Sequence, residues 1–203
     1  MPTPPVFLIN INMESDRCWY ELNIDTSTAF RQGYALPAVN GCDEVISWVH
    51  RDEIFNALWI SHLHNKGIDI TGALIFWRPA WFTNSRAHMD GALDQSVIFG
   101  LNWVIGGKNS EMAWYHAPSM DRDPEHTYSG LPYSSWPISS LVERDRHQIQ
   151  ARMTMVRVDV PHAIFVKEEP RWCISARTKM VNIPWNDRVD FMREKGLIVD
   201  DGT

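Results

Sequence analysis

Two short stretches of the chain carry side chains able to share one metal ion. Arg86-Ala87-His88-Met89-Asp90-Gly91 holds a His-x-Asp pair, and Pro161-His162 stands at the junction of two apolar runs. On an extended chain residues i and i+2 project from the same face. They lie about 7 Å apart along the backbone, so an imidazole and a carboxylate can converge on one ion. A neighbouring strand would bring His162 in from the side. Two imidazoles and one carboxylate on one face of an octahedral ion leave the remaining positions open to other ligands. Arg171, nine residues beyond His162, opens the next apolar run. A cation there suits an anionic ligand at the metal. Two neutral imidazoles and a carboxylate leave a divalent ion with one positive charge, which a dianion more than cancels. The plainer alternatives are a surface turn at Asp90-Gly91 and a His162 that is only a core imidazole bonded to a backbone carbonyl.

These residues need strands to hold them, and the sequence carries the strand signals. Residues 73–77, 97–105, 112–115, 153–160, 163–166 and 172–176 are short apolar runs, most of them bounded by Pro, Gly or Asn-Ser. Such runs separated by little helical pattern predict a mainly β protein, a double-sheet sandwich or jelly roll. Val45, Ile46, Val49, Phe55, Leu58, Trp59 and Leu63 recur before Gly67, a spacing that predicts a helix over 43–65. Residues 1–40 contain apolar pieces at 6–11 and 18–24, expected as edge strands or an extended arm. Residues 117–140 carry Pro118, Pro124, Pro132 and Pro137 among charged and aromatic side chains. They read as a loop that suits a lid over the open end of the sandwich better than a strand. The expected plan is one domain over 1–203: arm and helix over 1–70, core over 71–180 and tail over 181–203.

Composition bounds the function. Of the 203 residues 44% are hydrophobic and 22% charged, enough to bury a core. Lys plus Arg number 19 against 25 Asp plus Glu, a net charge of −6, which argues against a nucleic-acid partner. No apolar run is long enough for a membrane helix, and the first residues lack the basic and apolar segments of a secretory leader. Cys18, Cys42 and Cys173 are far apart. They fit neither a disulfide scaffold nor a CxxC zinc site, and they point to a cytoplasmic setting. The 10 Trp are scattered and are expected mostly in the core. His50, His62, His64, His126 and His147 are expected in boundary or solvated positions, and nothing near His116 in the sequence pairs with it.

With these residues in this order, the sequence resembles the 2-oxoglutarate/Fe(II)-dependent dioxygenases, most closely their compact prolyl-hydroxylase-like branch. The resemblance spans residues 73–178. It rests on His88-Met89-Asp90, Phe99-Gly100-Leu101-Asn102-Trp103, Val160-Pro161-His162 and Arg171-Trp172-Cys173-Ile174-Ser175. It implies a double-stranded β-helix with N-terminal helices packed outside one sheet. It also implies Fe(II) held by His88, Asp90 and His162 as the catalytic centre, and 2-oxoglutarate as co-substrate with its far carboxylate on Arg171. Strand parity adds a second layer. If Arg171 faces the interior, so do Cys173, Ser175 and Arg177, while Trp172, Ile174 and Ala176 face out. Ser175 is then placed to hydrogen-bond the keto acid. Arg177 is placed to replace Arg171 as its anchor, to hold an anionic substrate, or to pair with an acid at the strand end. Asn102 interrupts an apolar strand and needs a partner, either the keto acid or a neighbouring strand. The expected substrate is an amino acid, peptide or small metabolite. Two other classes compete: a non-oxidative cupin-like metalloenzyme using the same ligands on Zn²⁺ or Mn²⁺, and a metal-free jelly-roll binding module.

Overall fold

Strands with two buried faces dictate the layering. β5 (Phe99–Gly106) and β12 (Arg171–Thr178) are buried along most of their length on both sides, which a strand tolerates only when another layer covers each face. The computed structural model describes residues 17–39, 45–90, 99–119, 125–126, 132–179 and 183–199, and it supplies both layers. Among the described residues, strands form two six-stranded antiparallel sheets. The first runs β1 (Trp19–Glu21), β10 (Thr154–Arg157), β5, β12, β3 (Ile70–Arg78) and β2 (Val45–His50). The second runs β7 (Glu125–His126), β8 (Pro132–Pro137), β4 (Arg86–Asp90), β11 (His162–Phe165), β6 (Glu111–His116) and β9 (Val142–His147). Val104, Val156 and Cys173 of the first sheet and Met112, Trp114 and Ile164 of the second meet in one apolar cluster. The two sheets therefore pack face to face.

Helices cover the outer face of the first sheet. α2 (Ala57–Asn65) begins at Asn56, whose side chain accepts the Leu58 amide at 2.8 Å, a common N-cap. It ends at Gly67, whose positive φ lets the Gly67 and Ile68 amides return to the His64 and Leu63 carbonyls. Trp59 and Leu63, one turn apart, point inward. They join Trp185, Val189 and Met192 of α3 (Trp185–Glu194) and Leu101, Trp103, Ile174 and Ala176 of the sheet in one core cluster. Alternation along β12 is as parity requires: Ile174 and Ala176 pack under the helices, and Cys173 packs between the sheets.

Three expectations need correction. Residues 45–50 are not helix but strand β2, paired along β3, and only α1 (Arg51–Ile54) and α2 realise the helical spacing. The β-branched residues of Val-Ile-Ser-Trp-Val suit a pleated edge, and the exposed edge of β3 offers the backbone partners. The tail over 181–203 contains α3, with buried side chains at Trp185, Val189 and Met192 on one face. The supposed lid contains strand β8, hydrogen-bonded to β4, with β7 beside it. The apolar piece at 6–11 and residues 120–124 and 127–131 lie outside the described residues, as does Cys42.

Half of the ten tryptophans are core, while Trp48 and Trp81 are exposed. Trp59, Trp103, Trp114, Trp136 and Trp185 are buried. The indoles of Trp59, Trp114, Trp136 and Trp185 donate to the carbonyls of Asp25, Arg157, Ser119 and Arg17. Cys18 and Cys173 are buried and free of disulfides. Among the described residues no helix is long and apolar enough to cross a membrane.

Trp103 lies 6.1 Å, ring centre to ring centre, from each of Phe30, Phe55 and Trp59. It is the aromatic bolt between sheet and helices. Trp103→Ala is expected to lower stability by about 3–5 kcal/mol, read as a drop in the urea midpoint. A loss under about 1 kcal/mol would show that the site collapses around the change and that this cluster does not hold the helices down.

Candidate metal centre

β4 presents His88 and Asp90 on one face, while Ala87 and Met89 are buried on the other. β11 lies beside it in antiparallel register, with His162 directly opposite His88. The two imidazoles therefore stand side by side, ring centres 4.4 Å apart and inclined at 55°. Oδ1 of Asp90 is 3.5 Å from Nε2 of His88 and 4.0 Å from Nε2 of His162. One ligand atom from each residue falls within 4.8 Å of the others. This is a His-Asp-His set that could hold a metal ion. Bonds of about 2.0–2.3 Å need only small side-chain rotations from these positions.

Neighbouring groups aim the ligands. Nδ1 of His162 donates to the Val160 carbonyl at 3.0 Å. The carbonyl can only accept, so the proton sits on Nδ1 and the lone pair of Nε2 faces Asp90. Arg177 donates from Nη2 to Oδ2 of Asp90 at 3.3 Å, which leaves Oδ1 turned toward the imidazoles. The Asp90 amide donates to the Val158 carbonyl and fixes the end of β4. Trp114, fully buried, sits across from His162 on β6 and closes the apolar side of the site.

The protonation states suit a cation. Burial pushes the His88 imidazole down to about 3, with further lowering from His162 and Arg78 and opposition from Asp90. Burial also lowers His162, against the pull of Asp90. For Asp90 burial works the other way, but His162, Arg177 and His88 outweigh it and hold the carboxyl below its ordinary value. Near neutral pH the cluster is two neutral imidazoles and one carboxylate. His162 is 5% exposed, while His88 and Asp90 each keep 26% of the side chain open, so the site has a mouth on their side. β8 forms a wall there. Ser135 stands opposite His88 and Tyr133 opposite Asp90, and Glu125 accepts from both hydroxyls.

The other predicted site residues lie on the inner face of the first sheet. Ser175 and Asn102 are cross-strand partners. A side chain at Gly100 would strike both: its Cβ would stand 3.0 Å from Asn102 Oδ1, 3.0 Å from Ser175 Oγ and 3.7 Å from Arg177 Nη1. Glycine thus leaves a polar cradle beside Asp90. Asn102 Oδ1 and Arg177 Nε and Nη1 are buried there without a hydrogen-bond partner among the described residues. Of the openings left for Arg177, pairing with an acid is realised, and the acid is Asp90. Arg171 is 1% exposed at the other end of the same strand face. Its side chain runs over Gly107, where φ is +67° and a Cβ would meet Arg171 Cβ at 2.5 Å. Arg171 Nε and Nη1 make no hydrogen bond among the described residues.

One residue escaped sequence reasoning. Arg78, buried at the end of β3, is the cross-strand partner of Arg171. The signal was available in the parity of β3, where Arg78 falls on the face of Phe76. No protein-family model and no curated protein matches the chain.

Asp90→Asn and His162→Ala are each expected to abolish stoichiometric Mn²⁺ binding followed by electron paramagnetic resonance. Arg177→Met, which removes only the group aiming Asp90, is expected to weaken binding by roughly 10–100-fold. Unchanged binding in Asp90→Asn would remove the carboxylate from the site.

The metal-free protein should also show a pH signature. The unfolded chain takes up the His88 proton near 6.5, whereas the folded chain resists until about 3. Between these values the unfolded state binds more protons, so the contribution to stability is full above about 6.5 and declines as pH falls toward 3. Urea midpoints measured from neutral pH downward should fall more steeply for the wild type than for His88→Gln. Parallel curves would mean that His88 is not held neutral by the fold.

Proposed function

We propose that the protein is an Fe(II)- and 2-oxoglutarate-dependent dioxygenase on a double-stranded β-helix. The strand order supports that winding. β3, β4, β5 and β6 alternate between the first and second sheets, and β9 to β12 alternate from the second to the first. β12 thereby returns between β3 and β5, and β11 between β4 and β6. The observation that carries the functional reading is the inner face of β12. It presents Arg177, Ser175, Cys173 and Arg171 in a row that starts at the His-Asp-His cluster and ends at a buried guanidinium with unused donors.

The residues fit both groups. His88 and His162 are neutral nitrogen donors and Asp90 is an anionic oxygen donor, a set suited to Fe(II). With 2-oxoglutarate and O₂, the bound iron would supply oxidative decarboxylation to succinate and CO₂ coupled to hydroxylation of a C–H bond. The chain's own part is positional. Arg177 orients Asp90. Asn102 and Ser175 offer hydrogen bonds to the keto acid across the Gly100 cradle. Arg171 supplies the cation for the far carboxylate, out of water, where a forked charge-assisted pair is strongest. Trp114 and the apolar cluster behind it exclude water from the inner side. The substrate, an amino acid, peptide or small metabolite, approaches from the exposed side of His88 and Asp90, past the polar wall of Tyr133, Ser135 and Glu125. A non-oxidative metalloenzyme or a metal-free module gives the buried Arg171 no counter-anion, and this disfavours both.

The test is turnover of 2-oxoglutarate by the Fe(II)-loaded protein, with succinate, CO₂ and O₂ uptake measured together. Stoichiometric succinate and CO₂ are expected from the wild type and not from Asp90→Asn. Arg171→Ala is expected to weaken 2-oxoglutarate binding by roughly 10–100-fold while sparing the metal. A protein that binds both groups yet forms no succinate in air is not a dioxygenase of this kind.

A further inference from the structure

An exposed tryptophan stands beside the candidate metal centre, and the proposed function gives it no role. Trp48 is 54% exposed, yet β2 starts it on the interior face of the first sheet. Its cross-strand partner is Leu74, whose partner on β12 is Ser175. Residues opposite one another in an antiparallel pair share a face. Ser175, Leu74 and Trp48 therefore form one row across three strands. The next row runs Arg177, Gly72, His50. Gly72 leaves a gap in it, and the Trp48 ring fills that gap. A Cβ at Gly72 would stand 2.7 Å from Trp48 Cζ2 and 3.0 Å from Cη2. The indole thus lies over the backbone next to Arg177, which donates to Asp90 Oδ2 at 3.3 Å.

The mouth of the site opens on the same side. β6 and β11 pack against β5, β10 and β12, and β12 reaches β4 through Arg177. Beyond those strands the first sheet continues as β3 and β2, and the second as β4 and β8. Trp48 and the wall of Tyr133 and Ser135 therefore extend the two sheets on the side where His88 and Asp90 are open. An indole left half in water forgoes the burial that holds Trp59, Trp103 and Trp114 in the core. A flat ring seated on backbone and open to a cleft is the geometry of a stacking platform. The two acids described at the mouth are each matched by an arginine, Asp90 by Arg177 and Glu125 by Arg86. The platform accordingly suits a neutral ring better than a cation.

We propose that Trp48 is a substrate-positioning residue, whose open face stacks an aromatic or heteroaromatic ring of the substrate and holds it at the exposed side of His88 and Asp90. Offset stacking adds to the gain from buried area, so a flat ring is favoured over a saturated ring of the same size. The proposal rests on the dioxygenase reading, which supplies the reaction for which the ring is held.

The experiment is ligand-observed proton relaxation with the Mn²⁺-loaded full chain, in which the metal broadens the signals of probe molecules that bind close to it. The probes are phenol and indole, with cyclohexanol as the saturated control. The wild type is expected to broaden both aromatic probes and to broaden cyclohexanol much less. Trp48→Leu keeps an apolar side chain without the flat ring. It should weaken the aromatic probes by about 2- to 10-fold and leave Mn²⁺ affinity and the urea midpoint unchanged. Trp48→Phe should restore most of the binding. Trp81→Leu, which removes an exposed indole from the turn between β3 and β4, should change nothing. Three results overturn the platform: equal broadening in wild type and Trp48→Leu, equal broadening of phenol and cyclohexanol by the wild type, or no broadening of any probe. Loss of Mn²⁺ along with the probes in Trp48→Leu marks a merely structural residue and overturns it too. A wild type that binds no Mn²⁺ overturns the metal centre and the platform with it. Aromatic binding that depends on Trp48, in a protein that forms no succinate when loaded with Fe(II), upholds the ring site and overturns the dioxygenase reading alone.

Discussion

The register between β4 and β11 is the constraint on which the site depends. His162 meets the His-x-Asp face only because it pairs with His88. A slip of one residue would turn its imidazole to the outer face and bring Ala163 in. Apolar alternation prevents the slip. Ile164 belongs to the cluster between the sheets, and Ala163 to a separate cluster with Ala87, Ala113 and Tyr115 on the far side of the second sheet. A shifted β11 would push an isoleucine out of the core and an alanine into it. The candidate metal ligands are therefore placed by the same packing that holds the sandwich together, and the Val160 carbonyl then fixes the tautomer of an imidazole already in position.

Electrostatics oppose this placement. Burial disfavours every charged form in the cluster, yet Asp90 stays anionic because His162, Arg177 and His88 surround it. Arg177 matters twice. It neutralises Asp90 in the absence of a cation, and it leaves Oδ1 free for one. At the other end of β12 and β3 two arginines face each other out of water.

Much of this was legible in the sequence because strand periodicity is strict. The runs at 73–77, 112–115, 163–166 and 172–176 lie within β3, β6, β11 and β12 apart from one residue at 166, and the i, i+2 rule put His88 with Asp90 and Arg171 with Ser175 and Arg177. What stayed hidden has physical causes. Residues 45–50 satisfy a helical spacing locally, and only the partner strand β3 decides between strand and helix. β8, Pro-Tyr-Ser-Ser-Trp-Pro, has prolines at both ends and little apolar content. It is a strand because β4 needs a neighbour, a non-local demand that no window of sequence displays. β9, Val-Glu-Arg-Asp-Arg-His, is an edge strand with a polar sequence, and edges carry charge for good reason. Arg78 ends an apolar run just before Pro79, where a charged residue reads as a boundary; its burial follows from its pairing with β12.

The position of β12 explains why its inner face can carry polar side chains without weakening the fold. It lies between β5 and β3, so its backbone is bonded on both edges. Its outer residues Ile174 and Ala176 are clamped under helices α2 and α3, which frees its inner residues to be polar. Glycine then opens the space. Gly100 keeps side-chain bulk away from Asn102, Ser175 and Arg177, and Gly107 does the same for Arg171. Strand β4, which carries His88 and Asp90, is held differently. β11 flanks it on one side and β8 on the other, and among the described residues the two-residue β7 lies beyond. The Ser135 and Tyr133 hydroxyls of β8 donate to Glu125, and Trp136 between the flanking prolines is buried. On the proposed function, the inner face of β12 would hold the co-substrate and the polar face of β8 would meet the substrate, so the two sheets would divide the work.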